Sequence, residues 1–204
     1  MKKKFKTTQE KFWAEKFGNK YLNRNLQSKN RLKTIGHALK KNDLKIFSAL
    51  ELGCNIGYNL DALKKIFKDI ELYGVEINNL AYQLANKKYI CFNESILNFK
   101  TNKKFDLVFT AGVLIHQDPK YLKKIYNKMY NFSKKYIYIS EYFNPEPITL
   151  KYRNHKDKLF KRDFAKDLIK YHPDLKLVDY GFFWKEDPKL KGNCDNSNWF
   201  LFKK

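Results

Sequence analysis

The chain has 204 residues, a length that suits one domain, and its hydrophobic fraction of 43% is enough for a core and excludes a disordered chain. No stretch approaches the roughly 20 apolar residues that cross a bilayer, and no apolar segment follows the basic start, so we expect neither a membrane span nor a secretory signal. The net charge is +21, but arginine, the residue that best reads bases and clamps phosphates, occurs at only four positions; we therefore expect a solvated lysine surface, and nucleic acid is not the expected partner.

The first 44 residues are polar and helical in pattern, and we expect them to form an N-terminal helical lid. Residues 9–17 fit one helix, which Gly18 is expected to stop, and residues 21–39 fit a second. Two aromatic side chains share one face of the first helix. Helices of this kind usually cover a core or a pocket.

From residue 45 to residue 204 the sequence predicts one α/β domain. Short apolar runs alternate with amphipathic segments, which is typical of a mostly parallel sheet covered by helices. The last two strands are joined without a clear helix, which favours an antiparallel terminal hairpin. The predicted strands are 46–52, 71–76, 88–92, 105–110, 136–140, 175–180 and 199–202, and the predicted helices are 59–67, 79–87, 121–133 and 160–171.

Three motifs in this alternation follow the ends of strands, which is where an open α/β sheet binds its ligands. Gly53 and Gly57 lie in a tight turn after the first strand, and their missing Cβ atoms let a ligand approach the backbone closely. Asn55, between them, can adopt the left-handed conformation. Two glycines in a turn usually form a turn that binds nothing, so this motif depends on the other two.

The second and third motifs indicate a nucleoside. Glu76 ends the next strand, 19 residues after Gly57, where a carboxylate can accept both ribose hydroxyls; a Glu that only faces a helix dipole is the alternative. The strand 105–110 continues into a loop that holds Gly112 and His116. The three motifs together suit a nucleoside with a short charged tail better than a dinucleotide.

These motifs resemble those of class I S-adenosylmethionine-dependent methyltransferases. The resemblance lies in Glu51-x-Gly53-x-x-x-Gly57, in Glu76 and in the 105–116 strand and loop, and it covers residues 45–204. It implies a Rossmann-like α/β fold with a seven-stranded, mostly parallel sheet, an antiparallel terminal hairpin, and S-adenosyl-L-methionine as the cofactor. Asn55 stands where this class usually has a glycine, which alters the turn slightly.

A narrower resemblance runs from residue 9 to the end. Phe12-Trp13-Ala14, the 112–116 loop, residues 136–145 and residues 152–164 are similar to the family named pseudaminic acid biosynthesis-associated methylases. This similarity implies polysaccharide biosynthesis. The acceptor would then be a small anionic sugar or a precursor of a surface polysaccharide such as capsule, flagellar glycan or O-antigen.

The resemblance also implies which residues bind the cofactor. The turn after the first strand takes the methionine part, Glu76 takes the ribose, and the residues after the third strand meet the adenine. Arg24 would hold the methionine carboxylate through two parallel hydrogen bonds, with a surface salt bridge as the alternative. The expected cofactor-binding residues are Trp13, Tyr21, Arg24, Asn25, Gly53, Cys54, Asn55, Gly57, Asn59, Glu76, Ile77, Ser95, Ile96, Thr110 and Gly112.

Methyl transfer to an alcohol needs a base within hydrogen-bond reach, and two residues on the expected rim can supply one. His116 titrates near neutrality, and Glu141 ends the fifth strand. The alternatives are a histidine that only caps its loop and a carboxylate that only binds backbone amides. The scarce arginines and histidines that gather after this strand favour an anionic acceptor, with Tyr142, Asn144, Tyr152, Arg153, His155 and Arg162 as its expected binding residues.

Two other interpretations stay open. A methyltransferase of RNA or another large polyanion would use the lysine-rich surface and show a steep salt dependence, and a nucleoside-binding module would bind without transfer. The three cysteines have no CxxC spacing, so we expect free thiols and no metal site. We expect a cytoplasmic protein that is a monomer or a homodimer.

Overall fold

A seven-stranded sheet forms the centre of the molecule. The structure is a computed structural model that describes residues 4–26, 30–190 and 192–204. The sheet has the strand order β3-β2-β1-β4-β5-β9-β8, and β6 and β7 form a separate hairpin. The strands are β1 (Ser48–Leu52), β2 (Glu71–Val75), β3 (Ile90–Phe92), β4 (Phe105–Ala111), β5 (Ser133–Glu141), β6 (Ile148–Tyr152), β7 (His155–Lys161), β8 (Lys176–Phe183) and β9 (Ser197–Lys203).

The pairing of the strands confirms the predicted fold class. Strands β1 to β5 pair in parallel, while β9 is antiparallel to both β5 and β8. Every residue of β1 is buried, as expected of a central strand that is covered on both faces. The sheet is therefore seven-stranded and mostly parallel with an antiparallel terminal hairpin, as the sequence predicted.

Helices cover both faces of this sheet. Helices α3, α4 and α5 contribute to the core on one face, and α6 and α7 to the core on the other. Among the residues that the structure describes, no helix is both long enough and apolar enough to span a bilayer. The helices are α1 (Thr8–Ala14), α2 (Lys16–Arg24), α3 (Ile35–Lys40), α4 (Tyr58–Ile66), α5 (Asn79–Ala85), α6 (Leu122–Phe132) and α7 (Phe164–Tyr171), with short 3-10 turns at Arg31–Lys33, Leu114–His116 and Pro119–Tyr121.

The N-terminal helices differ from the prediction. The first break lies at Glu15, and α2 runs through Gly18 instead of stopping there. Gly18 is needed for close packing, because a Cβ on it would lie 1.8 Å from the carbonyl oxygen of Trp13. The predicted second helix, 21–39, is interrupted after Arg24, and part of it (27–29) lies outside the described residues.

The hairpin formed by β6 and β7 lies mostly in a stretch for which the sequence predicted no strand. Its turn places Arg153 and Asn154 at φ of 47° and 67°, the pair of positive values that a tight two-residue hairpin turn requires. All but five of the hairpin's strand positions are exposed, so its sequence lacks the apolar alternation that predicts a strand. The helix predicted to start at residue 160 starts later, because β7 extends to Lys161. Helix α7 begins after Asp163, whose side chain accepts a hydrogen bond from the Lys166 amide at 2.8 Å.

Candidate active site

A cavity lies at the carboxyl ends of β1, β2 and β4, beneath α1 and α2. Its walls come from the turn after β1, from the residues that follow β2 and β3, and from the loop after β4. Parallel strands end at the same edge of a sheet, and this brings the three sequence motifs together. The two N-terminal helices supply the side that faces away from the sheet.

The turn after β1 has an unusual backbone. Gly53, Asn55 and Gly57 have φ values of 82°, 48° and 86°. A Cβ on Gly53 would lie 2.7 Å from a methyl carbon of Val113, so only glycine lets this turn and the loop after β4 come together. Gly57 precedes α4 and does not itself line the cavity.

Glu76 follows β2 and lines the cavity. Its Oε2 accepts a hydrogen bond from the Asn55 amide at 2.8 Å, and its Oε1 accepts one from the Asn78 amide at 2.7 Å. A carboxylate has about four acceptor sites, so both oxygens can accept further hydrogen bonds. The two bonds also join the turn after β1 to the start of α5, so one side chain holds two walls in place.

Glu51 and Arg31 also line the cavity, although neither was among the expected binding residues. Glu51 is 1% exposed; its Oε1 accepts from the Asn59 side-chain amide at 2.6 Å, and its Oε2 has no partner among the described residues. Burial raises the pKa of Glu51 to about 8, although Asn59 and Arg31 oppose this. Arg31 donates from Nη1 to the Asn193 carbonyl at 3.1 Å, and its buried Nε is unpartnered within the described part of the chain.

Side chains fasten α1 and α2 to the rim of the cavity. Glu10 accepts a hydrogen bond from the hydroxyl of Ser95, which follows β3. The side-chain amide of Asn78 donates to the Asn19 side-chain oxygen at 2.8 Å and to the Trp13 carbonyl at 3.2 Å. Both attachments lie beside Glu76 and the residues after β3, where a nucleoside is expected.

Aromatic rings connect the cavity with the β6–β7 hairpin. The ring of Trp13, which lines the cavity, lies 4.6 Å from that of His116 and 6.1 Å from that of Tyr152. Tyr152 lies 4.7 Å from His116 and 5.6 Å from Phe17. The Trp13 indole nitrogen is buried and finds no hydrogen-bond partner in the described residues. The hairpin thus reaches the cavity through these rings.

His116 lies between the cavity and the hairpin and is 7% exposed. Its Nδ1 is 2.6 Å from the Lys158 carbonyl oxygen. A carbonyl oxygen only accepts, so Nδ1 carries the proton and Nε2 keeps its lone pair. Burial lowers the pKa of His116 to about 4, against the opposing effect of the Lys158 carbonyl. The imidazole is therefore neutral at pH 7, with Nε2 as a hydrogen-bond acceptor.

Glu141 closes β5 and is directed at the loop after β4. Its carboxylate accepts from the backbone amides of Val113 and Leu114, each at 3.1 Å, and of Ile115 at 3.4 Å. Burial raises the pKa of Glu141 to about 7, and the three amides oppose the rise. This is the arrangement of a carboxylate that binds backbone amides, and it fixes the loop that carries His116.

The structure brings most of the expected cofactor-binding residues to the cavity and leaves all six expected acceptor-binding residues outside its lining. The expected residues that line it are Trp13, Tyr21, Asn25, Gly53, Cys54, Asn55, Asn59, Glu76, Ile77, Ser95, Ile96, Gly112 and His116. Those that do not are Arg24, Gly57, Thr110, Glu141, Tyr142, Asn144, Tyr152, Arg153, His155 and Arg162.

The residues outside the lining have other neighbours. Arg24 is exposed, with its guanidinium 5.5 Å from the Phe17 ring centre, and Thr110 is fully buried within β4. Arg162 pairs with Asp167 at 3.3 Å. The Asn144 side chain donates to the Glu146 carbonyl, the Lys161 ammonium lies over the Tyr142 ring, His155 packs on Phe12, and Arg153 is exposed at the hairpin turn.

Several lining residues were not selected from the sequence. Glu51 and Asn78 lie within two residues of selected positions, so their neighbourhood was a usable signal. Glu10 and Arg31 lie in the N-terminal segment, where helical periodicity predicts helices but does not indicate which side chains contact a ligand. The unselected lining residues are Gln9, Glu10, Gly18, Leu22, Arg31, Glu51, Ile56, Tyr58, Val75, Asn78, Ala81, Glu94, Ala111, Val113 and Gln117.

Known proteins share this fold. Magnesium protoporphyrin IX methyltransferase from Synechocystis, solved with bound S-adenosylmethionine, is 10% identical, with a TM-score of 0.68 over 99% of this chain and 100% of that one. The 1,6-didemethyltoxoflavin-N1-methyltransferase from Burkholderia thailandensis is 12% identical, with a TM-score of 0.68 over 96% and 86%. An S-adenosylmethionine-dependent methyltransferase from Clostridium acetobutylicum is 16% identical, with a TM-score of 0.63 over 91% and 95%.

The sequence itself matches one family model. Residues 49–135, which run from β1 into the start of β5, match the model described as a methyltransferase domain. No curated protein matches the chain significantly. The matched segment contains the turn after β1, Glu76 and the loop after β4, which together form most of the cavity wall. The chain is therefore an enzyme that contains a methyltransferase domain, in a fold that it shares with S-adenosylmethionine-dependent methyltransferases.

Proposed function

We propose that this enzyme methylates a small anionic acceptor, a sugar or a surface-polysaccharide precursor, where the β6–β7 hairpin meets the cavity. The charge of the hairpin carries this proposal: residues 148–161 include five lysines and arginines and one acidic residue. Concentrated positive charge beside a cavity attracts small anions. The resemblance of the sequence to pseudaminic acid biosynthesis-associated methylases supports a sugar as the acceptor.

In this proposal the adenosine end of the cofactor lies at β2 and β3. Glu76 offers its carboxylate oxygens to the two ribose hydroxyls, since a backbone hydrogen bond to each oxygen supports its position and a carboxylate has about four acceptor sites. Ser95 and Ile96 flank the adenine. Residues 1–44 act as a lid, because Glu10 and Asn78 attach α1 and α2 beside these positions.

Glu51 and Arg31 complement the two charges at the methionine end. The Oε2 of Glu51 is directed at the α-ammonium, and the Nε of Arg31 at the α-carboxylate. Both atoms are buried and unpartnered among the described residues, so a charged partner relieves the cost of burying them. Arg31 thereby takes the role that the sequence suggested for Arg24, whose side chain is exposed.

Transfer itself needs little from the protein beyond position. The sulfonium activates the methyl carbon, and the enzyme holds a nucleophilic atom in line with the breaking bond. The neutral His116 accepts a hydrogen bond from an acceptor hydroxyl at Nε2, which orients the oxygen lone pair toward the methyl group. A methylated hydroxyl is strongly acidic, so an imidazole with a pKa of about 4 suffices to take its proton.

Glu141 contributes as a positioning residue. Three backbone amides of the loop after β4 donate to its carboxylate, and this loop holds His116 at the cavity wall. A change at Glu141 is expected to lower kcat through the position of His116 and to leave cofactor affinity nearly unchanged.

An acceptor screen tests the proposal. The purified enzyme is incubated with methyl-labelled S-adenosylmethionine and with sugar phosphates, nucleotide-linked sugars, sugar acids or RNA. A small sugar anion should become labelled. Replacing Lys151 and Arg153 together by alanine should raise the acceptor KM about 10-fold and leave kcat and cofactor affinity within about twofold, because only a ground-state attraction is removed.

Lys64→Ala is the matched control, since this exposed lysine lies on α4, away from the hairpin. It should leave the acceptor KM unchanged. Labelling of RNA alone, with an affinity that falls steeply with salt, would replace the sugar acceptor by a polyanion. An unchanged KM in the Lys151/Arg153 variant would remove the hairpin from acceptor binding.

A further inference from the structure

Two thiols meet behind the turn after β1. Cys54 belongs to this turn and lines the cavity, and Cys91 is the middle residue of β3. Between them lies Gly74 of β2, which is the register partner of Cys91. A Cβ on Gly74 would lie 2.4 Å from the sulfur of Cys54 and 3.1 Å from that of Cys91. Both sulfur atoms are therefore close to the same point on one face of the sheet.

We infer that Cys54 and Cys91 form a reversible disulfide that switches off cofactor binding. The inference rests on the proposed use of this cavity by the cofactor. Both thiols are buried, at 3% and 7% exposure, and no side chain at position 74 separates them. Two neighbouring thiols can form a disulfide. In a reducing compartment such a disulfide is usually transient and redox-sensing.

The two thiols differ in readiness to react. Cys54 has two acceptors within reach, the Asn55 carbonyl at 3.6 Å and the sulfur of Cys91. Donation to Cys91 lowers the pKa of Cys91, whereas the same hydrogen bond and burial raise the pKa of Cys54. The thiolate is the nucleophile, so Cys91 reacts first and Cys54 resolves the intermediate.

The oxidant is a peroxide, small enough to enter the cavity. The Cys91 thiolate attacks one peroxide oxygen, the O–O bond breaks, and the departing hydroxide takes a proton to become water. Cys54 then attacks the sulfur of the resulting sulfenic acid, the S–S bond forms and the S–O bond breaks. A second water leaves with the Cys54 proton. Two thiols lose two electrons, and one hydrogen peroxide is reduced to two waters.

Bond formation acts on the cofactor through the turn after β1. Sulfur atoms in a disulfide lie about 2.05 Å apart, closer than any hydrogen-bonded pair of thiols, so Cys54 must move toward β3. Asn55 follows Cys54 in the chain, and its amide donates to Glu76. The movement therefore pulls on the carboxylate that is proposed to hold the ribose.

Oxidation followed by binding measurements tests the inference. The protein is treated with hydrogen peroxide, peptides are mapped without reduction, and affinity for S-adenosylhomocysteine is measured by calorimetry. We expect a Cys54–Cys91 cross-link, at least about a 10-fold loss of affinity, and full recovery with dithiothreitol. Cys91→Ser should bind S-adenosylhomocysteine as the reduced protein does and lose all sensitivity to peroxide, and Cys194→Ser should behave like the unmodified protein.

The controls separate two failures. If the reduced protein does not bind S-adenosylhomocysteine, the proposed cofactor site is wrong. If the reduced protein binds but no Cys54–Cys91 cross-link forms, or the cross-linked protein binds equally well, the redox inference is overturned and the cofactor site stands. Peroxide sensitivity that persists in Cys91→Ser also overturns it.

Discussion

Individual buried polar side chains should determine how the cavity responds to the proposed cofactor. Glu51 and Arg31 each leave one polar atom without a partner in the described part of the chain, whereas Glu76 uses both of its oxygens on backbone amides. The first two are costly to bury alone and gain most from a charged ligand. Glu76 is held ready for hydrogen bonds in a fixed direction. The two kinds of residue lead to different predictions.

Glu51 should make cofactor binding depend on pH. Burial raises the pKa of Glu51 to about 8, so the Glu51 carboxyl group is mostly protonated at pH 7 when no cofactor is bound. A bound α-ammonium favours the carboxylate and lowers this pKa, so binding releases a proton below pH 8. Affinity should therefore rise with pH, by up to ~10-fold per unit, and level off above the free pKa.

Calorimetry across pH, in buffers with different ionisation enthalpies, measures both the affinity and the proton released. Glu51→Gln should bind more weakly at pH 8 and lose most of the pH dependence. Glu71→Gln is the control, because Glu71 is an exposed residue at the other end of β2. An equal slope in Glu51→Gln would assign the released proton to another group.

Glu76→Ala should weaken the binding of S-adenosylhomocysteine by roughly 1.5–3 kcal/mol, the range for hydrogen bonds to a charged group. The amides of Asn55 and Asn78 also lose their acceptor, so the free energy of unfolding should fall as well. Calorimetry gives the affinity and urea denaturation the stability. Glu71→Ala should change neither appreciably, and normal affinity in Glu76→Ala would remove the proposed ribose contact.

At the scale of elements, α1 and α2 are attached to the rim of the cavity by hydrogen bonds, so their position should affect what the cavity binds. Their junction depends on Gly18, where a side chain would collide with the Trp13 carbonyl and come within 2.7 Å of the Asn78 side-chain amide. The attachment through Asn78 joins the same junction to α5. The N-terminal helices and the side of the cavity that holds Glu76 are thus connected through Asn78.

Gly18→Ala should open this junction. The added methyl group cannot fit beside the Trp13 carbonyl, so α1 and α2 must separate. We expect at least about a 10-fold loss of cofactor affinity and faster amide hydrogen exchange in residues 8–24, while the sheet keeps its protection. Lys16→Ala, an exposed change in the same helix, is the control. Undiminished affinity in Gly18→Ala would make α1 and α2 a surface appendage.

Sequence patterns predicted the sheet well and the surface elements poorly, for physical reasons. Strands such as β1 and β4 are buried on both faces, so their apolar runs report directly on the fold. The hairpin of β6 and β7 depends on a turn with two positive φ values and on contacts with aromatic rings that are distant in sequence. Neither feature produces a periodic pattern of apolar residues from which a strand could be predicted.

The candidate site divides in the same way. Residues next to strand ends, such as Gly53 and Glu76, could be placed because parallel strands end together. Arg31 and Glu10 come to the cavity only through the packing of the N-terminal segment, so spacing could not select them. The sequence predicted that an arginine of the N-terminal segment binds the cofactor, and it selected Arg24. The arginine that lines the cavity is Arg31, in the 3-10 turn that follows α2.

Over the whole molecule, the net charge of +21 should work against the folded state. Like charges crowd when the chain becomes compact, and salt screens their repulsion. The melting temperature should therefore rise with sodium chloride at pH 7. The increase should shrink near pH 9.7, the isoelectric point, where net charge vanishes. Differential scanning calorimetry measures this, and an equal increase at both pH values would assign the effect to hydration instead of charge.

The separation of the β6–β7 hairpin from the main sheet affects how this enzyme can diversify. Among the described residues, the strands of the hairpin pair only with each other, and the hairpin is inserted between β5 and α7, whereas the cavity is formed mainly by the ends of β1 to β4 and the N-terminal helices. Substitutions at its many exposed positions leave the main core intact. With the acceptor at the hairpin and the cofactor in the cavity, as proposed, selection can alter residues 148–161 and so retarget the enzyme to new acceptors without changing the cavity.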